Sequence, residues 1–260
     1  MPTTKIATRV APRASLTATL AVALAVVLSG CKKKAPPSAA ATDAPGPIVV
    51  WPGMNVSSAS ALPKARTAPW DNGSFLLKDG KLPEHKVRRI ASCADLAGVA
   101  EDDVVIGHAW ERYDFRGESI RCRVIAALIA AHPSRTGFVR DLVFADDPGG
   151  LLPAAVGPTP VPATSPARTW RAAEPTLTLD RDGARPDHHE VIAHGPFNGR
   201  LTWWAAADFD GDGIEDIVLF SNLTPSRTSA PSADTDAVMR AFVLTRRQAG
   251  DPVTILERFE

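Results

Sequence analysis

From residue 169 to the C-terminus the sequence falls into six short runs rich in Val, Ile, Leu, Thr and aromatic residues. They are TLTLD (176–180), HEVIAHGPF (189–197), RLTWWAAA (200–207), EDIVLFSNL (215–223), AVMRAFVLTRR (237–247) and PVTILERF (252–259). Turn residues bound them: Asp182-Gly183, Asn198-Gly199, Asp212-Gly213 and Gly250-Asp251-Pro252. Parallel neighbours need crossovers of a dozen residues or more, so short connections of this kind predict an antiparallel meander of five or six strands. Asn198-Gly199 reads as a two-residue hairpin turn, because both central positions of that turn need φ > 0. One connection, 224–236, is long and polar.

Upstream the period changes. Val87, Ile90, Cys93, Leu96 and Val99 recur every three residues, which predicts a helix over 85–99. A second helix is expected over 118–132, stopped by Pro133, with Ile120, Val124, Leu128 and Ala131 on one face and Cys122, Ala126 and Ile129 on another. The fold class is therefore α+β: a helical subdomain over 70–150, a Pro-rich linker over 151–168 and an antiparallel β subdomain over 169–260. A neutral formal charge gives no reason to expect nucleic acid as a partner.

The N-terminus reads as an address. Lys5, Arg9 and Arg13 precede an uncharged apolar run, residues 14–30, that is short for a membrane span and fits a secretory signal over 1–30. It ends Leu28-Ser29-Gly30-Cys31. This resembles the lipobox of bacterial lipoproteins, and the resemblance implies cleavage before Cys31, lipidation of its sulfur and a membrane anchor. Each buried CH₂ of an acyl chain contributes about 0.8 kcal/mol, so several chains hold firmly. Lys32 stands where some bacteria carry an inner-membrane retention Asp, which favours the outer membrane. Residues 31–69 are rich in Pro, Ala, Ser and Thr and are expected to be a disordered tether. With Cys31 lipidated, Cys93 and Cys122 remain, and an oxidising envelope predicts a disulfide between them.

Between two of the expected strands lies ADFDGDGIED, with Asp208, Asp210, Asp212 and Asp216 in nine residues. Alternate side chains of a tight loop converge, and calcium takes six to eight oxygens at about 2.3–2.6 Å in irregular geometry. Asp208, Asp210, Asp212 and Asp216 would supply carboxylates and Ile214 its backbone carbonyl, with Gly213 permitting the turn. An EF-hand would need Glu at the twelfth position, which here is Leu219 inside an apolar run. The stretch instead resembles the FG-GAP or integrin-type calcium loop, which implies Ca²⁺ held in a β-hairpin. Asp180-Arg181-Asp182-Gly183 is a partial second copy whose third acidic position is Ala184, so it reads as a turn and a propeller of repeats is not expected.

Catalytic motifs are missing. His189-Glu190 begins like HExxH, but the next histidine, His194, is five residues on rather than four, and His188 fits no better. There is no GxSxG, phosphate loop or CxxC. Carboxylates beside aromatics at 110–118 offer at most a glycan contact. The expected function is therefore a non-catalytic, calcium-binding, lipid-anchored envelope protein with a protein or glycan partner. The alternative is a hydrolase of envelope glycan or polymer.

Overall fold

The computed structural model describes residues 46–71, 73–77, 88–145, 147–159, 168–181, 190–226 and 238–260. The signal sequence, Cys31, the tether up to residue 45, Asp182-Gly183, His188, His189 and most of the 224–236 loop lie outside the described residues. In chain order the strands are β1 (Val49–Val50), β2 (Phe75–Leu77), β3 (Arg89–Ile90), β4 (Val104–Val105), β5 (Thr136–Gly137), β6 (Thr178–Arg181), β7 (Glu190–His194), β8 (Phe197–Ala207), β9 (Ile214–Pro225), β10 (Val238–Thr245) and β11 (Thr254–Phe259). The α-helices are α1 (Leu62–Ala65), α2 (Ala109–Ala130), α3 (Arg140–Phe144) and α4 (Trp170–Ala173).

The six strands expected from the sequence form one antiparallel meander, β6 through β11 in order. The β7–β8 turn is not where Asn-Gly suggests. Asn198 and Gly199 lie inside β8, with Gly199 opposite both Ala193 of β7 and Leu223 of β9. The chain turns at Gly195-Pro196 instead, with Gly195 at φ +118°. Pro196 lacks an N–H, so a turn accommodates it better than the middle of a ladder. Gly199 is needed for a different reason: a Cβ there would sit 2.0 Å from the Asn222 carbonyl oxygen.

The central strands β8–β10 are buried on both faces. One face of β8–β10 presents Leu201, Trp203, Ala206, Ile217, Leu219, Phe242 and Leu244 to a core completed by Leu142, Leu152, Val156 and Trp170. The other presents Trp204, Ala205, Ala207, Val218, Ala241 and Val243 to α2 and the N-terminal segment. Consecutive Trp204 and Ala205 face the same way because the β8–β9 register slips between Trp203 and Ala205. A bulge of this kind puts two residues opposite one.

The helical and strand halves thus share one core, and all described residues fall in one compact unit rather than separate subdomains. The expected tether and linker are partly structural as well. β1 pairs with Ala205 and Ala206 of β8, and Met54, Val56 and Leu62 are buried in the core. Leu152, Ala154 and Val156, inside the Pro-rich 151–168 stretch, are buried on the other face. Pro153 precedes a single 3-10 turn, Ala154–Val156, and bridges to Thr169, so a proline-rich stretch still buries the apolar side chains between its prolines.

Helix α2 begins earlier than expected, at Ala109, where the Glu111 carboxylate accepts the His108 N–H at 3.0 Å and closes the first turn. Its Ile120, Val124 and Leu128 face is buried, while Ile129 on the other stripe is exposed. Over 88–99, the described part of the helix expected at 85–99, a short strand and turns stand instead. Ile90 is fully buried in β3, opposite Phe75 of β2. Asp95 then accepts from the Ala91 N–H and the Ser92 hydroxyl, which favours turns over a helix. Those bonds, the Ser92 hydroxyl first, hold the Asp95 carboxyl below the ordinary range.

Cys93 and Cys122 form the expected disulfide, which joins the turn after β3 to α2, with a Cα–Cα distance of 5.2 Å. It closes a loop of 29 residues, for which chain entropy gives about 3–4 kcal/mol. The double variant Cys93→Ser/Cys122→Ser should therefore melt on the order of 10 °C below wild type by calorimetry. A melt unchanged within 2 °C would mean that the bridge adds nothing to the core around it.

Candidate metal centre

The β8–β9 hairpin outreaches its neighbours. β7 pairs with β8 only over Gly199–Thr202, and β10 pairs with β9 over Ile217–Leu223. Beyond them the hairpin end is taken over by β1 on one side and by β5 on the other, where Thr136 and Gly137 run parallel to Ile214 and Glu215. The acidic loop is the tip of this hairpin. The chain leaving α2 clasps it: Asp208 and His132 exchange backbone hydrogen bonds of 2.9 Å, and the Gly213 carbonyl accepts from the Arg135 and Thr136 N–H groups. Gly211 and Gly213 adopt φ of +78° and +86°, which a residue with a Cβ rarely can.

The four aspartates shape the loop they crowd. Asp208 Oδ1 accepts from Gly211 N–H and Oδ2 from Gly213 N–H, both at 2.8 Å. Asp210 Oδ1 accepts from Asp212 N–H, Asp212 Oδ1 from Ile214 N–H, and Asp216 Oδ2 from Phe209 N–H. Carboxylates so placed take up N–H groups that a loop cannot pair in a ladder.

Asp208, Asp210 and Asp216 each bring a carboxylate oxygen within 4.8 Å of the others. Asp208 is 3% exposed and Asp216 fully buried. Asp212, expected as a ligand, stands outside this triad, where its Oδ2 meets the Arg247 guanidinium. The same guanidinium donates to Asp210 Oδ2 at 3.0 Å. Ile214 opens β9 beside Thr136.

Asp216 is the unusual member. Its Oδ1 is buried and accepts no hydrogen bond of good geometry. Burial pushes its carboxyl up to about 6, and the charges of Asp210 and Asp212 add to this. The nearby Thr245 hydroxyl and the Phe209 N–H oppose it. An acceptor buried without a partner costs about 1–3 kcal/mol, more if charged, unless something else satisfies it. An open cavity of about 510 Å³ beside the loop is lined by His132, Arg135, Asp208 and Asp212, but not by Asp216.

Two charges that the sequence did not single out support the site. Glu215 is 3% exposed and held by Arg140 of α3 through three short contacts, at 2.6, 2.7 and 2.9 Å. Arg247 follows β10, 31 residues from Asp216 in the chain. Neither pairing leaves a local pattern, because the partners meet only when β5, β9 and β10 assemble. Of the histidines weighed against HExxH, the described His194 is exposed on β7. No protein-family model matches this sequence, and no curated protein or solved structure is significantly similar to it.

In the metal-free protein the sign of the pH dependence follows from Asp216. Its folded pKa lies above its ordinary 3.8, so the folded state holds the proton more tightly than the unfolded chain. The resulting stability is complete below pH 4 and is lost as pH rises through about 6. The change is on the order of 2–3 kcal/mol. Urea melts in chelator should show this fall, and Asp216→Asn should flatten it; a wild-type curve that is level between pH 4 and 6 would contradict it.

Proposed function

We propose that this chain is a non-catalytic, calcium-binding lipoprotein of the bacterial envelope, anchored through Cys31 and serving in structure or in contact with an envelope protein or glycan. One observation carries the calcium reading: Asp216, fully buried and with its Oδ1 unsatisfied, belongs to a triad with Asp208 and Asp210 whose carboxylates lie within 4.8 Å of one another. A hard divalent cation satisfies such an oxygen and relieves the repulsion among the three carboxylates at once. Irregular, oxygen-only geometry suits Ca²⁺ better than Mg²⁺, which demands a near-ideal octahedron. The resemblance to FG-GAP loops supports the same assignment.

The anchor rests on the signal sequence and the Leu28–Cys31 box, and the outer membrane on Lys32. Among the described residues no helix is long and apolar enough to cross a membrane, so none of them offers an alternative attachment by a helical span. Trp110, 60% exposed on α2 and stacked on His108, offers aromatic surface for a partner. The hydrolase alternative would need two carboxyls facing one cleft, one raised to act as acid and one ionised. The two described carboxyls that are raised, Glu118 and Asp216, lie on different elements, and Glu118 is paired with Arg121.

Two outcomes test the proposal. Calcium at about a hundred times its dissociation constant should stabilise by roughly 2.7 kcal/mol, raising the melting temperature by about 5–10 °C. Asp208→Asn should remove that rise, and identical wild-type melts in calcium and in chelator would refute the site. Cys31→Ser should move the protein from the membrane fraction to the soluble fraction of fractionated cells. Undiminished membrane retention of the variant would instead indicate an uncleaved signal anchor.

A further inference from the structure

Resting on the calcium reading above, we infer that Arg247 is a tethered competitor of the metal ion. The guanidinium sits in the turn leaving β10, about half exposed, and spans the two outer carboxylates, Asp210 and Asp212. Asp210 is thus shared between this cation and the Asp208–Asp216 triad. Arg247 neutralises one charge where a calcium ion would neutralise two. Its two ion pairs go to Asp210 and Asp212 and do not include the buried Asp216. It is therefore an incomplete substitute for the ion.

Calcium needs six to eight oxygens, and three carboxylates can offer six only if every one binds through both of its oxygens. Asp208 and Asp216 already accept backbone N–H groups on three of their four oxygens. Asp212 is the remaining carboxylate of the loop; its Oδ1 accepts the Ile214 N–H, and its Oδ2 is the oxygen Arg247 holds. Filling the site therefore draws Asp210 and Asp212 away from Arg247. The released guanidinium lies on the β10–β11 connection, so occupancy of the hairpin tip is coupled to the exposed charge of a neighbouring turn.

Competition and simple scaffolding predict opposite signs. If Arg247 competes, its removal tightens calcium binding; if it only holds the loop in shape, removal weakens it. Calorimetric titration of calcium chloride into the detergent-solubilised full-length protein distinguishes them. Arg247→Gln should bind roughly three- to tenfold more tightly than wild type, since two partly exposed ion pairs are no longer broken on binding. Arg247→Lys, which keeps the charge and disturbs the fold least, should stay within about threefold of wild type. In chelator Arg247→Gln should melt below wild type, and calcium should close that gap. Equal or weaker calcium binding by Arg247→Gln would overturn the inference while leaving the calcium site standing. Absence of binding to every form would remove the calcium reading and the inference together.

Discussion

Strands β8 and β9 carry apolar side chains on both faces, so their hairpin can only lie in the middle of the molecule. Trp203 and Trp204 are adjacent in sequence, yet each is buried in a different core. Everything else is arranged to cover them. α2 and the segment from residue 46 close one face, and the short helices α3 and α4 with the 151–157 stretch close the other. The hairpin then extends past β7 and β10, and β1 and β5 take up the edge groups left there. The centre of the fold thus ends in a tip whose shape is set by its surroundings before any ion binds.

That tip concentrates negative charge at the margin of a low-dielectric interior. Part of the charge is absorbed by backbone N–H groups, part by Arg247, and part, at Oδ1 of Asp216, by neither. Each carboxylate therefore has two roles: fixing the turn and presenting an oxygen. The raised pKa of Asp216 and its unpaired oxygen are two expressions of one condition, a carboxylate buried beyond the reach of water. A bound cation would stabilise the ionised form and convert the least stable point of the loop into a cross-link between β8 and β9.

Much of this was legible in the chain. Alternation and turn residues fixed the six strands and their order, and the isolated pair of cysteines gave the disulfide. The Asp-x-Asp-x-Asp-Gly-x-x-Asp pattern located the loop and all four of its aspartates, three of which the fold brings together. What local pattern could not carry was competition between segments. Cys93 and Leu96 have helical spacing, but Ile90 gains more by pairing with Phe75. Asn198-Gly199 has the composition of a turn, but the close approach of Asn222 needs that glycine inside a strand. Residues 46–69 look like a tether by composition, although Met54, Val56 and Leu62 are enough to dock them. Asp212 looked equivalent to its neighbours until Arg247, distant in sequence, met it across the sheet.

The most direct test is a crystal structure of the protein grown with calcium. The account predicts one ion at the β8–β9 tip, bound by oxygens of Asp208, Asp210 and Asp216 at about 2.3–2.6 Å, with Arg247 turned away from Asp212. A tip free of ion density at millimolar calcium, with Arg247 still bridging Asp210 and Asp212, would contradict it.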